Sequence, residues 1–124
     1  MLDHLGIQVA DAAESASFYD AVLAPLGHRR MRQYGEVIGY GSDQPAFWIA
    51  PTETGGPARE SHIAFTAADR PAVDAFFAAA VEAGARVLHA PRVWPEYHEH
   101  YYGAFVRDPD GNNVEAVSHG PVHA

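Results

Sequence analysis

The chain repeats itself at an offset of 58 residues, and the first residues the offset superimposes are two histidines. Asp3-His4-Leu5-Gly6-Ile7-Gln8-Val9-Ala10-Asp11 aligns with Ser61-His62-Ile63-Ala64-Phe65-Thr66-Ala67-Ala68-Asp69. The same offset pairs Phe18 with Phe76, Tyr19 with Phe77 and Leu23 with Val81. One supersecondary unit is therefore used twice, and each copy presents an imidazole near its start. Two otherwise scattered histidines become a candidate metal pair about a pseudo-two-fold axis.

Both copies open on period-two alternation, the signal of a half-buried strand. Leu5, Ile7 and Val9 share one face, with His4, Gly6 and Gln8 on the other. Ile63, Phe65 and Ala67 likewise oppose His62, Ala64 and Thr66. Each histidine thus sits on a face of small or polar side chains, open rather than packed. A helix follows each strand, started by Asp11 with Glu14 or by Asp69 with Pro71, and stopped at Gly27 or Gly84. Strand-like runs follow at 28–34, 36–41 and 46–50, and again at 85–93, 102–108 and 113–118. Asp108-Pro109-Asp110-Gly111-Asn112 is a turn sequence strong enough to join the last two as a hairpin. Thr52-Glu53-Thr54-Gly55-Gly56-Pro57 reads as the linker between a first module, 1–55, and a second, 56–124. The predicted fold is α+β: one domain of two βαβββ modules, whose curved mixed sheets carry helices on one face and leave a concave site on the other.

Composition removes several kinds of chemistry. The formal net charge is −8, and all eight cations are arginines. Nucleic-acid binding draws on clustered positive charge and is not expected here. Without lysine no Schiff base forms through this chain, and without cysteine there is no thiolate nucleophile, disulfide or Cys-type zinc site. No apolar run is long enough to span a bilayer, and the first residues carry no secretory pattern, so a cytoplasmic address and no membrane partner are expected.

Glu115 lies among Val114, Ala116 and Val117 on a half-buried strand, where a carboxylate is costly unless paired, protonated or bound to a cation. If it faces the concave side, it joins His4 and His62 within reach of a common point as a two-histidine, one-carboxylate set. Such a set suits Fe, Mn, Co, Ni or Zn and keeps coordination positions open. Counting the hairpin so that Asp108 faces Asn113, Val106 faces Glu115 and Ala104 faces Val117 puts Tyr102 on the same side. Tyr102 is therefore the expected proton-transfer residue, or an amphipathic ring of the pocket wall; a slip of one position exchanges it for Tyr101. The stretch from Trp94 to Tyr102 reads either as a pocket lid or as an amphipathic loop with incidental histidines.

Taken together, Asp3-His4-Leu5-Gly6-Ile7 with Phe18-Tyr19, His62-Ile63-Ala64-Phe65, and Asp108 through Glu115 resemble the vicinal oxygen chelate superfamily over nearly the whole chain. That superfamily includes glyoxalase I, extradiol dioxygenases, and fosfomycin- and bleomycin-resistance proteins. The resemblance implies metal ligands on the first, fifth and eighth strands, here His4, His62 and Glu115. It implies a homodimer, which would also cover exposed sheet edges. A glyoxalase I-like lyase or isomerase, or an extradiol dioxygenase-like enzyme, would act on a small molecule with two neighbouring oxygens through a divalent metal. The rival is a metal-free protein of the bleomycin-resistance kind that sequesters its ligand. Glyoxalase I takes a second carboxylate from the fourth strand; here that strand reads Ala46-Phe47-Trp48-Ile49-Ala50, with no carboxylate before Glu53.

Overall fold

The structure is a computed structural model and describes residues 1–52 and 59–121; most of the expected linker, from Glu53 to Pro57, lies outside the described residues. The element order is β1 (Leu5–Val9), α1 (Ala12–Leu23), β2 (Arg29–Tyr34), β3 (Val37–Gly41), β4 (Phe47–Pro51), then β5 (His62–Thr66), α2 (Arg70–Glu82), β6 (Val87–Val93), β7 (Tyr102–Arg107) and β8 (Asn113–Ser118). Each module is one four-stranded mixed sheet, ordered β1-β4-β3-β2 in the first and β5-β8-β7-β6 in the second. The first strand of each module runs parallel to the last, β1 with β4 and β5 with β8, and the remaining pairs are antiparallel.

The two helices begin as their sequences require. Asp11 Oδ1 accepts from the Glu14 backbone N–H at 3.0 Å, and Asp69 Oδ1 from that of Ala72 at 2.9 Å. Helix α1 ends at Leu23, short of the expected Gly27, because Pro25 has no N–H to continue the ladder and Ala24–Leu26 tightens into a 3-10 turn. Apolar faces of both helices and both sheets meet in one core. Val9, Tyr19, Leu23 and Ile49 of the first module are buried with Ile63, Val73, Phe76 and Val114 of the second. Phe47 and Phe65 meet edge to face across the seam, with centroids 5.1 Å apart. None of the helices is long and apolar enough to cross a membrane among the described residues.

A polar knot also crosses the seam. Asp108, in the β7–β8 turn, is buried and accepts from the Tyr19 hydroxyl at 2.6 Å, from the Asn112 backbone at 2.8 Å and from the Asn112 side chain at 2.9 Å. Asp110 accepts from the Ala10 backbone N–H at 2.8 Å and the Ser15 hydroxyl at 3.3 Å. Burial, then the Asp108 carboxylate, pushes the Tyr19 phenol far above its ordinary value, so Tyr19 stays a donor.

That knot also corrects the hairpin register. The Asp108 N–H donates to the Asn112 carbonyl at 3.0 Å, and Gly111 closes the turn at φ 87° with its own N–H on the Asp108 carbonyl. The loop is therefore three residues long, with Gly supplying the left-handed position. Arg107 faces Asn113, Phe105 faces Glu115 and Gly103 faces Val117, one position away from the expected pairing.

Tyr19→Phe removes one donor from a buried carboxylate and should cost about 1–3 kcal/mol of unfolding free energy. In urea the midpoint should fall at unchanged slope; an unchanged midpoint would show that the bond across the seam adds nothing.

Candidate functional site

His62 opens β5 and Glu115 lies in the middle of β8, two residues along from the position directly opposite His62 on a parallel neighbour. In that ladder His62 pairs with Asn113 and Ala64 with Glu115, and residues two apart share a face, so both side chains stand on the open side. His62 Nε2 lies 2.8 Å from Glu115 Oε1. The Glu115 carboxylate is fully buried, whereas the imidazole is more than half exposed. An ionised carboxylate only accepts, so Nε2–H of His62 is the donor in this pair. The other carboxylate oxygen, Oε2, accepts from the Tyr101 hydroxyl.

The corrected register decides which tyrosine belongs here. Tyr102 pairs with Ser118 and turns to the helix side, where its hydroxyl donates to Asp74 of α2 at 2.7 Å and Arg70 sits over its ring at 5.0 Å. The expectation of Tyr102 as the residue on the open face is overturned: the three-residue loop shifts every β7 side chain to the other face, and Tyr101 takes the place beside Glu115. Burial, then hydrogen bonding to Glu115, raises the Tyr101 phenol above the tyrosine range; burial, then Asp74, pushes Tyr102 up to about 12. Both phenols are donors at neutral pH.

Around this pair lies a cavity of about 350 Å³, walled further by Phe105, Tyr97, His98 and His119. The 94–101 segment forms its rim rather than a free loop. Trp94 is buried and its Nε1–H donates to the Gly103 carbonyl at 3.0 Å, which anchors the stretch to β7. The His100 backbone N–H donates to His98 Nδ1 at 3.1 Å, so the proton of a neutral His98 sits on Nε2 and is donated to His119 Nδ1 at 2.8 Å. The His98–His119 pair was not expected at this site, and Tyr101 only as what a slip of one position would put in place of Tyr102; the sequence signal for it was the length of the turn.

His4 stands elsewhere. It precedes β1 on the other sheet, exposed, with Nδ1 2.6 Å from Asp3 Oδ1. A carboxylate there fixes the tautomer and leaves Nε2 free to ligate, the arrangement common behind metal-bound histidines. His4 does not line the His62–Glu115 cavity, and among the described residues no three His, Cys, Asp or Glu side chains are gathered to hold a metal ion. One chain brings together two members of the expected set, not three.

Those two suit a cation. Ligands about 2.1 Å from a metal and at right angles are about 3.0 Å apart, close to the observed 2.8 Å from His62 Nε2 to Glu115 Oε1. Replacing the shared proton by a metal therefore asks for little movement of either side chain. Among the described residues, the first module offers no carboxylate at the equivalent position. Gly6 pairs with Trp48 as Ala64 pairs with Glu115, so an indole occupies the corresponding position.

Glu115→Gln tests the electrostatic coupling. Removing the anion relieves repulsion of the phenolate, so the Tyr101 pKa should fall, yet stay above the ordinary 10 because burial is the larger cause. Tyrosine ring NMR titration, assigned with Tyr101→Phe, reads this; a Tyr101 pKa indifferent to Glu115→Gln would dismiss the bond.

Comparison with known proteins follows the same lines. The family described as Glyoxalase/Bleomycin resistance protein/Dioxygenase superfamily matches residues 1–116. A glyoxalase/bleomycin resistance protein from Albidiferax ferrireducens T118 is 31% identical, with a TM-score of 0.85 over 95% of this chain and 98% of that one. Lactoylglutathione lyase from Agrobacterium tumefaciens shares the fold at 18% identity, with a TM-score of 0.70 over 95% of this chain and 92% of that one. A glyoxalase/bleomycin resistance protein/dioxygenase family enzyme from Burkholderia phytofirmans PsJN does so at 20% identity, with a TM-score of 0.69 over 94% and 96%. No curated protein matches the chain.

Proposed function

This chain belongs to the glyoxalase/bleomycin resistance protein/dioxygenase superfamily, and from that premise we propose that it is a divalent-metal-dependent enzyme acting on a small molecule with two neighbouring oxygens. The observation that carries this reading is the His62–Glu115 pair, aimed at one point at the base of an open cavity. His62 Nε2 and Glu115 Oε1 are the proposed ligands from the second module. His4, held by Asp3 with its Nε2 free, is the proposed third ligand, supplied to that site by a second copy of the chain in a homodimer. A bound divalent ion would supply Lewis acidity toward the two substrate oxygens.

The chain's own residues do the rest. Tyr101 holds Glu115 Oε2 through its hydroxyl proton, which fixes the carboxylate plane and leaves Oε1 toward His62. A phenol with a raised pKa does not act as a base at neutral pH, so its part is positioning rather than proton abstraction. Phe105, buried on β7, shields the base of the cavity from water, strengthening the polar interactions there. The metal-free sequestering alternative shares this cavity but gives Glu115 less reason to be there. Burying a carboxylate costs several kcal/mol before its partners offset it, with no return in ligand binding alone.

Protein purified without chelator or nickel column should carry about one metal per site, and His62→Ala, Glu115→Ala and His4→Ala should each strip it without unfolding the chain. Equal metal in wild type and His62→Ala would leave the sequestering alternative standing. Wild type should sediment as a dimer at micromolar concentration. When His4→Ala and Glu115→Ala proteins are mixed and allowed to exchange, a site shared between chains recovers about a quarter of the metal, since half the dimers carry one intact site. A site built within one chain recovers none.

A further inference from the structure

Resting on that reading of the cavity as the substrate site, we infer that its ligand is a flat ring compound rather than an aliphatic one. Among the described residues, every side chain lining the cavity other than Glu115 is a ring. Tyr101 is at the centre, 4.8 Å from Tyr97, 5.5 Å from His98 and 5.2 Å from His119 between centroids, at interplanar angles of 58°, 73° and 88°. Tyr101 therefore meets these rings at steep angles and keeps its own face unstacked, while His98 and His119 lie nearly parallel at 26° and Tyr97 lies along Trp94 at 21°. Such walls contact a planar guest by offset-stacked or edge-to-face approach, which an aliphatic skeleton of equal size cannot reproduce. The volume, about 350 Å³, suits a guest of one or two rings.

The first module repeats the aromatic preference on its own open face. Trp48, at the position equivalent to Glu115, lies flat over Gly39, where an added Cβ would come within 2.8 Å of three indole carbons, and stacks on Tyr34 at 9°.

The test is calorimetric titration of metal-stripped protein at neutral pH with two probes: β-naphthol and its saturated counterpart β-decalol. β-Naphthol should bind about tenfold more tightly than β-decalol. Tyr97→Leu, at an exposed ring outside the core, should lower β-naphthol affinity severalfold and leave β-decalol unchanged. Equal affinity for the flat and saturated probes, or no saturable binding of β-naphthol, would each overturn the proposal. Because the protein carries no metal in this experiment, such failure is separable from failure of the metal site, which metal content alone decides.

Discussion

The position of Asp108 controls more of this molecule than its distance from the candidate site suggests. Its carboxylate gathers the Asn112 backbone and side chain into one compact turn and takes the Tyr19 hydroxyl from the other module. That turn is three residues long, and its length sets the β7–β8 register. Because strand side chains alternate, the register decides which of two adjacent tyrosines meets Glu115. A buried hydrogen-bond knot at one end of the sheet thus selects the chemistry at its middle. It does so while tying α1 of the first module to the hairpin of the second, so module docking and site assembly share a cause.

The repeat made the architecture legible. Matching alternation, helix caps and turn residues at a fixed offset all report local preferences, and local preferences decide where strands and helices lie. Both N-caps form the bonds their sequences require, and every strand falls within two residues of its expected bounds. Legibility ended where geometry depends on a single backbone angle. Whether Asp108 pairs with Asn112 or Asn113 turns on Gly111 taking a left-handed conformation, and composition allows either loop. The candidate site was legible in its second half, since His62 and Glu115 lie on parallel neighbours. His4 belongs to another sheet, and the repeat carries no information about how two equivalent sheets are disposed around a common point.

The modules also show how one backbone plan supports unequal chemistry. Gly6 beside Trp48 and Ala64 beside Glu115 are equivalent pairs on equivalent parallel ladders. In the second module the central position carries a carboxylate, and the strand beside it supplies Phe105 as its neighbour. In the first the central position is an indole, and the neighbouring strand supplies Gly39, because the ring needs the space a side chain would fill. Each substitution is matched by its cross-strand partner. Cross-strand neighbours are the unit of sheet packing, so a change at the centre of one strand is absorbed next door rather than through the whole module.

Glu115 joins the structural and chemical sides of the molecule. A fully buried carboxylate is tolerated when its oxygens are satisfied, and here one faces His62 and the other Tyr101. Those partners differ in kind. Tyr101 is itself walled in by Tyr97, His98 and His119, so its bond is fixed by packing. His62 is more than half exposed and held mainly by its strand, leaving its side of the carboxylate the one open to exchange. The same two hydrogen bonds therefore let Glu115 stay buried and leave one of its oxygens facing the cavity. An acid satisfied on both sides by packed partners would serve stability alone; one satisfied by a packed phenol and an accessible imidazole keeps a coordination direction available.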